Sequence, residues 1–266
     1  MNDYEIIGKI LLGLPESSLK ELFNQIGIET NLGEDELFCL HYQTFGRQIL
    51  PYLGAFSGEQ FDLDAFYEEI GERPEFKKES PDHIGLQFLL YSELKEKKVF
   101  ESLIFPWFQL FALTVKREAE EPFRSLACLI LEKVESSSAL TSSKVTLEKE
   151  TGLKDITKYL TTPFQSGFYL SLSSLKKIAK RTDLPLSFGG RSEVLLQLIY
   201  TSLDYDKWEA LLAALIEEVR GWEAFYQQNL KRSFDLLEKV NETREFLGKI
   251  RQIYLGEFNE TYRSNS

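Results

Sequence analysis

From Asp3 to about Phe258 the apolar residues of this 266-residue chain recur three and four apart, and they do not alternate convincingly over a strand's length. That spacing buries one stripe of a helix and cannot bury one face of a sheet, so an all-α fold is expected. Two short helices are expected over 3–26, broken at Gly13-Leu14-Pro15, and another from Asp35 to Phe45, whose His41 is read as half-buried structure. Gly46–Gly58 is too rich in turn formers for a helix, and Phe61–Gly71 is a helix with an acidic outer face. Val99–Val115 places Phe100, Leu103, Ile104, Trp107, Phe108, Phe111 and Val115 on nearly one face, with Pro106 expected to kink or break it. Pro122–Val134 is helical as well, and Asp206 to about Phe258 is one nearly unbroken helix.

The polar run ESSSALTSS divides the chain into an expected helical core (1–135), a linker (136–143) and a helical C-terminal part (144–266) that packs on the core or on a partner. A polar linker between two helical halves leaves monomer and domain-swapped dimer both open. No apolar run approaches the ~20 residues that span a bilayer, so no stable membrane insertion is expected. The N-terminus has no basic region before its apolar part, which points to the cytoplasm. Cys39 and Cys128 sit in apolar helical contexts as expected buried thiols, and two cysteines with two histidines make no credible zinc or iron–sulfur site. No cofactor is expected. There is no Gly-x-Ser-x-Gly elbow and no cysteine–histidine pair in a plausible frame, so the chain is read as a binding protein and not an enzyme.

The net charge of −11 is unevenly placed: Glu59–Asp82 carries nine acids against three bases. This balance argues against nucleic acid and favours a basic partner, the plainer alternative being a solvated acidic face.

That acidic segment ends in Glu79–Leu94, ESPDHIGLQFLLYSEL. Ser80 fits an N-cap and Pro81 the first helical position, with Ile84, Phe88, Tyr91 and Leu94 following at helical spacing. Asp82 in the first turn suits the helix dipole. Beside it, His83 is either a surface histidine on a capped helix or a group that titrates near neutral pH or grips a ligand.

Glu79, Pro81, Asp82 and His83, followed by a helix, resemble the Glu-x-Pro-Asp-His signature of the TorD/DmsD/NarJ family of redox-enzyme maturation chaperones. The family often has a glutamate a few residues into this helix, where the chain has Gln87. Pro51-Tyr52 is similar to the proline–tyrosine of the family's loop after the third helix, though Leu53 and Gly54 follow it. The tryptophan-bearing helix followed by Pro122-Phe123 also resembles the family, with Arg124 where an aromatic is common. TTPFQSGFYLS (161–171) and DLPLSFGGRSEVLLQLI (183–199) are similar to the distal part of longer members; GGR lacks the pattern of a phosphate loop.

The resemblance implies a TorD-like helical bundle extended by C-terminal helices, one of them long. It implies a cytoplasmic chaperone for the apoprotein of a molybdopterin oxidoreductase, held by its twin-arginine leader or N-terminus until cofactor insertion and assembly or export. It also implies that Glu79, Pro81, Asp82, His83, Gln87 and Tyr52 bind the client peptide, with Pro81 shaping the turn. From the residues alone, an all-helical adaptor with no redox-enzyme client stays open. Asp82 and His83 are expected to be exposed at the helix start.

Overall fold

The computed structural model describes residues 2–14, 18–58, 61–74, 79–134, 152–230 and 233–264, with only the backbone of 234 and 253–264. The chain is all-α: fourteen α-helices and one π-helical turn, with no strand among the described residues. It divides into two units, 1–140 and 141–266. The expected linker at 136–143 lies outside the described residues.

In the first unit α1 (Asp3–Leu12) starts under the Asn2 side chain and ends at Gly13, whose φ of 57° is the left-handed conformation that glycine adopts freely. Then come α2 (Leu19–Gln25) and α3 (Glu34–Gln43), which runs into the π-turn Thr44–Gln48. Short α4 (Gly54–Ser57) follows, so the stretch Gly46–Gly58 holds more helical structure than its turn formers suggest, and α5 (Leu63–Ile70) is the helix expected over Phe61–Gly71. Next are α6 (Ile84–Glu93), α7 (Lys98–Glu118) and α8 (Phe123–Lys133).

α1 packs closely on α6 through a glycine on each. A Cβ on Gly8 would lie 2.7 Å from the Gly85 carbonyl oxygen, and one on Gly85 2.8 Å from that of Gly8. Two glycines therefore set the position of α6, and α6 carries the sequence motif.

α7 runs unbroken across Pro106. By length and composition it is long and apolar enough to cross a bilayer, contrary to the expectation that no segment would be, but 67% of its apolar window is buried in the protein. It is a core helix. Phe88 of α6 stacks on its Phe108 at 4.1 Å between ring centroids, and Phe45, Phe111 and Phe123 make a second cluster. Leu103 is the exception on the expected face, being 40% exposed. His41 is half-buried, with Nε2 3.1 Å from the Leu11 carbonyl oxygen and its ring against Phe45 and Phe123. Neither cysteine is buried: Cys39 is on the exposed side of α3 and Cys128 is half-exposed on α8.

The second unit holds α9 (Leu153–Thr161), α10 (Pro163–Ser166), α11 (Leu172–Thr182), α12 (Arg191–Asp204), α13 (Trp208–Gln227) and α14 (Phe234–Ser264). The expected single C-terminal helix is two antiparallel ones: Glu209 near the start of α13 pairs with Arg251, and Glu223 near its end with Arg244. Ser233 closes the turn, its hydroxyl donating to the Tyr226 and Asn229 carbonyls at 2.9 Å. The Pro163–Gly167 stretch is clamped by its own carbonyls: Lys239 donates to Phe164, Thr243 to Ser166 and Tyr226 to Gly167. Gly167 has φ 79°, and a Cβ there would come within 2.9 Å of the Val240 nitrogen, so both backbone and space require glycine.

Candidate functional site

Glu79–His83 folds as a turn, not as the first turn of a helix. The His83 N–H donates to the Ser80 carbonyl at 2.9 Å, closing a four-residue turn with Pro81 in its second position, where a fixed φ suits the geometry. The chain then pairs briefly with Pro51–Leu53: Leu53 N–H donates to the Asp82 carbonyl at 3.0 Å, and Ile84 N–H to the Pro51 carbonyl at 2.8 Å. These two bonds occupy backbone groups that an earlier helix would need. α6 accordingly begins at Ile84, and the N-cap is His83 in place of the expected Ser80.

His83 is also not the exposed residue expected; it is 4% exposed. Its Nδ1 accepts from the Gly85 N–H at 3.0 Å, which requires a neutral ring protonated on Nε2. Burial pushes its pKa down to about 4, with the nearby His41 adding to the depression and Asp82 opposing it. The unfolded chain therefore binds the proton more tightly than the fold. Stability is complete above pH ~6.5 and falls as pH drops toward 4, by at most about 1.4 kcal/mol per pH unit from this group. His83→Asn keeps an N-cap acceptor without a titrating ring, so urea midpoints measured between pH 7 and 4.5 are expected to fall less for this variant than for the wild type.

The turn presents two carboxylates. Tyr52 donates its hydroxyl to Glu79 Oε2 at 2.8 Å and sets its ring edge against His83, centroids 5.1 Å apart. Asp82 Oδ2 accepts the Gly54 N–H at 3.3 Å. Tyr52, Glu79 and Asp82 are each half-buried and keep exposed surface. Burial, reinforced by Glu79, pushes the Tyr52 hydroxyl up to about 12, so it stays a donor.

Gln87 lies beneath the turn, fully buried. Its Nε2 donates to the Pro81 carbonyl at 2.6 Å, and the Tyr67 hydroxyl donates to that same carbonyl at 2.8 Å. The Gln87 side chain has no exposed surface in this conformation. The amide supports the turn from below, and the charge difference from the family's glutamate does not fall on the surface. A carboxylate here would set an acceptor against the Pro81 carbonyl and bury its charge. Gln87→Glu is expected to lose about 1–2 kcal/mol at neutral pH. The introduced group's folded pKa would be raised, so the loss should shrink as acid protonates it, which denaturation at pH 7 and 5 would read.

The structure thus brings together Tyr52, Glu79, Pro81, Asp82 and His83, and sets Gln87 behind them. Tyr67 and Gly54 are part of the same construction and were not singled out in the sequence. Tyr67 had a signal, an aromatic next to Phe66 on the inward side of an otherwise acidic helix; Gly54 had none. The exposed acids Asp64, Glu68, Glu69 and Glu72 lie on or just after α5. Residues 1–140 hold 25 acids against 13 bases, whereas 141–266 hold 17 against 18, so the negative charge belongs to the unit that carries the turn. Among the described residues no group of three or more histidine, cysteine, aspartate or glutamate side chains is placed to hold a metal. No family model, no curated protein and no solved structure matches the chain.

Proposed function

We propose that the chain is a cytoplasmic maturation chaperone of the TorD/DmsD/NarJ kind. It binds the twin-arginine leader or N-terminus of a molybdenum-cofactor oxidoreductase apoprotein and releases it once cofactor insertion permits assembly or export. The observation that carries this reading is the construction of the turn. Backbone pairing, the His83 cap and the Gln87 amide hold Glu79–Asp82 in one conformation, and the groups left at the surface are carboxylates. Carboxylates fixed in place suit guanidinium groups, whose planar donors reward preorganised acceptors. The acidic surface of α5 raises the local concentration of a basic peptide.

Glu79→Ala with Asp82→Ala tests the reading. Both side chains are half-exposed, so helix content should be kept while affinity for an arginine-pair leader peptide falls at least tenfold. Unchanged affinity in a folded double variant would remove the turn from the client site. Binding only to a mature N-terminus would place the chain with the NarJ type, and binding to neither peptide would favour an adaptor without a redox-enzyme client.

A further inference from the structure

A second charged surface lies on the other unit and has the opposite sign. α11 exposes Lys176, Lys177, Lys180 and Arg181, at positions i, i+1, i+4 and i+5, so they share one face over two adjacent turns. Its opposite side, Leu175, Ile178, Ala179 and Thr182, is buried. None of the four cations takes part in an ion pair among the described residues, although neighbouring elements are paired at Arg220–Glu217, Arg244–Glu223 and Arg251–Glu209. Attraction to the helix C-terminus accounts for Lys180 and Arg181 in the last turn but leaves Lys176 and Lys177 unexplained.

The loop that follows adds an apolar element. Leu184 is buried, Leu186 is partly exposed, and Phe188 is 104% exposed, its ring wholly in water. Lys207 donates to the Asp183 carbonyl at 2.7 Å and to its carboxylate at 3.0 Å, which compensates the one acid at this end of α11 and brings alongside it the turn bearing exposed Tyr205. Glu193 is engaged in capping Gly190, Glu218 of α13 accepts from the Ser174 hydroxyl of α11 at 3.1 Å, and Asp204 and Asp206 flank Tyr205 in the turn.

We propose that the α11 face and the 184–188 loop dock this protein peripherally on an anionic phospholipid bilayer. The cations lie against headgroup phosphates, and Phe188 with Leu186 enters the interfacial layer. Charge complementarity supplies the attraction. The apolar loop favours lipid over a soluble acidic partner, because an aromatic ring beside a cationic face gains most where headgroups give way to acyl chains. This surface is independent of the turn in the first unit, so either can fail without the other.

Flotation of the full chain with phosphatidylcholine vesicles, alone and mixed with phosphatidylglycerol, tests the proposal. Binding is expected to require phosphatidylglycerol, to weaken with salt, and to fall at least tenfold when Lys176, Lys177, Lys180 and Arg181 are all changed to glutamate. Because these side chains are exposed, circular dichroism should be unchanged. In Phe188→Trp, emission should shift to the blue on anionic vesicles; the three native tryptophans are buried and report little. Equal binding by wild type and the charge-reversed variant, no binding to either vesicle, or binding without a blue shift would each overturn it. So would competition by a soluble polyanion that leaves position 188 in water, which would assign the face to acidic macromolecules.

Discussion

Trp107→Ala is expected to destabilise the first unit by about 3–5 kcal/mol, a large share of what a domain of this size has. The indole is fully buried in α7, its ring centroid 5.6 Å from that of Phe108. Neighbours fixed in helices cannot collapse into the vacated volume, so a cavity term adds to the lost transfer energy. Its N–H has no partner among the described residues, so Trp107→Phe sacrifices volume but no hydrogen bond and should cost much less. Urea unfolding of the two variants measures the difference. A loss below 1 kcal/mol for the alanine variant would place the indole outside the core.

Gly8→Leu is expected to cost about 3 kcal/mol, at the upper end of the range for overpacking. By helix propensity alone, replacing a mid-helix glycine stabilises by about 1 kcal/mol, so the predicted sign is opposite to the local preference. The crossing decides it. The first added carbon meets the Gly85 carbonyl at 2.7 Å, a backbone atom at the start of α6 that cannot turn aside as a flexible side chain would. The same variant should disturb the turn, because Gly85 donates the bond that caps α6 on His83. Loss of both stability and leader binding is expected, and gain of stability would contradict the crossing.

The helices of the core were largely legible in the sequence because each buries a stripe at helical spacing. What escaped was set by contacts between distant residues. Ser80-Pro81 reads as a helix start, and the cap moves to His83 only because Pro51–Leu53 claims the backbone of Asp82 and Ile84. The reversal between α13 and α14 contains neither glycine nor proline, and Tyr226 and Leu230 keep the spacing across it; periodicity does not register that a helix has turned back. For the site, the acidic residues were visible as residue types. The separation of Glu79 and Asp82 at the surface from His83 and Gln87 beneath it was not, since burial of a polar side chain depends on partners such as the Pro81 carbonyl and Tyr67.

The most direct measurement is calorimetric titration of the full chain with a twin-arginine leader peptide at low and high salt, beside the same peptide with both arginines changed to alanine. The account predicts saturable binding that weakens with salt, is lost with the arginines, and is lost again in the Glu79→Ala, Asp82→Ala protein. Equal binding of the two peptides, or no binding of leader and mature N-terminal peptides alike, would contradict it.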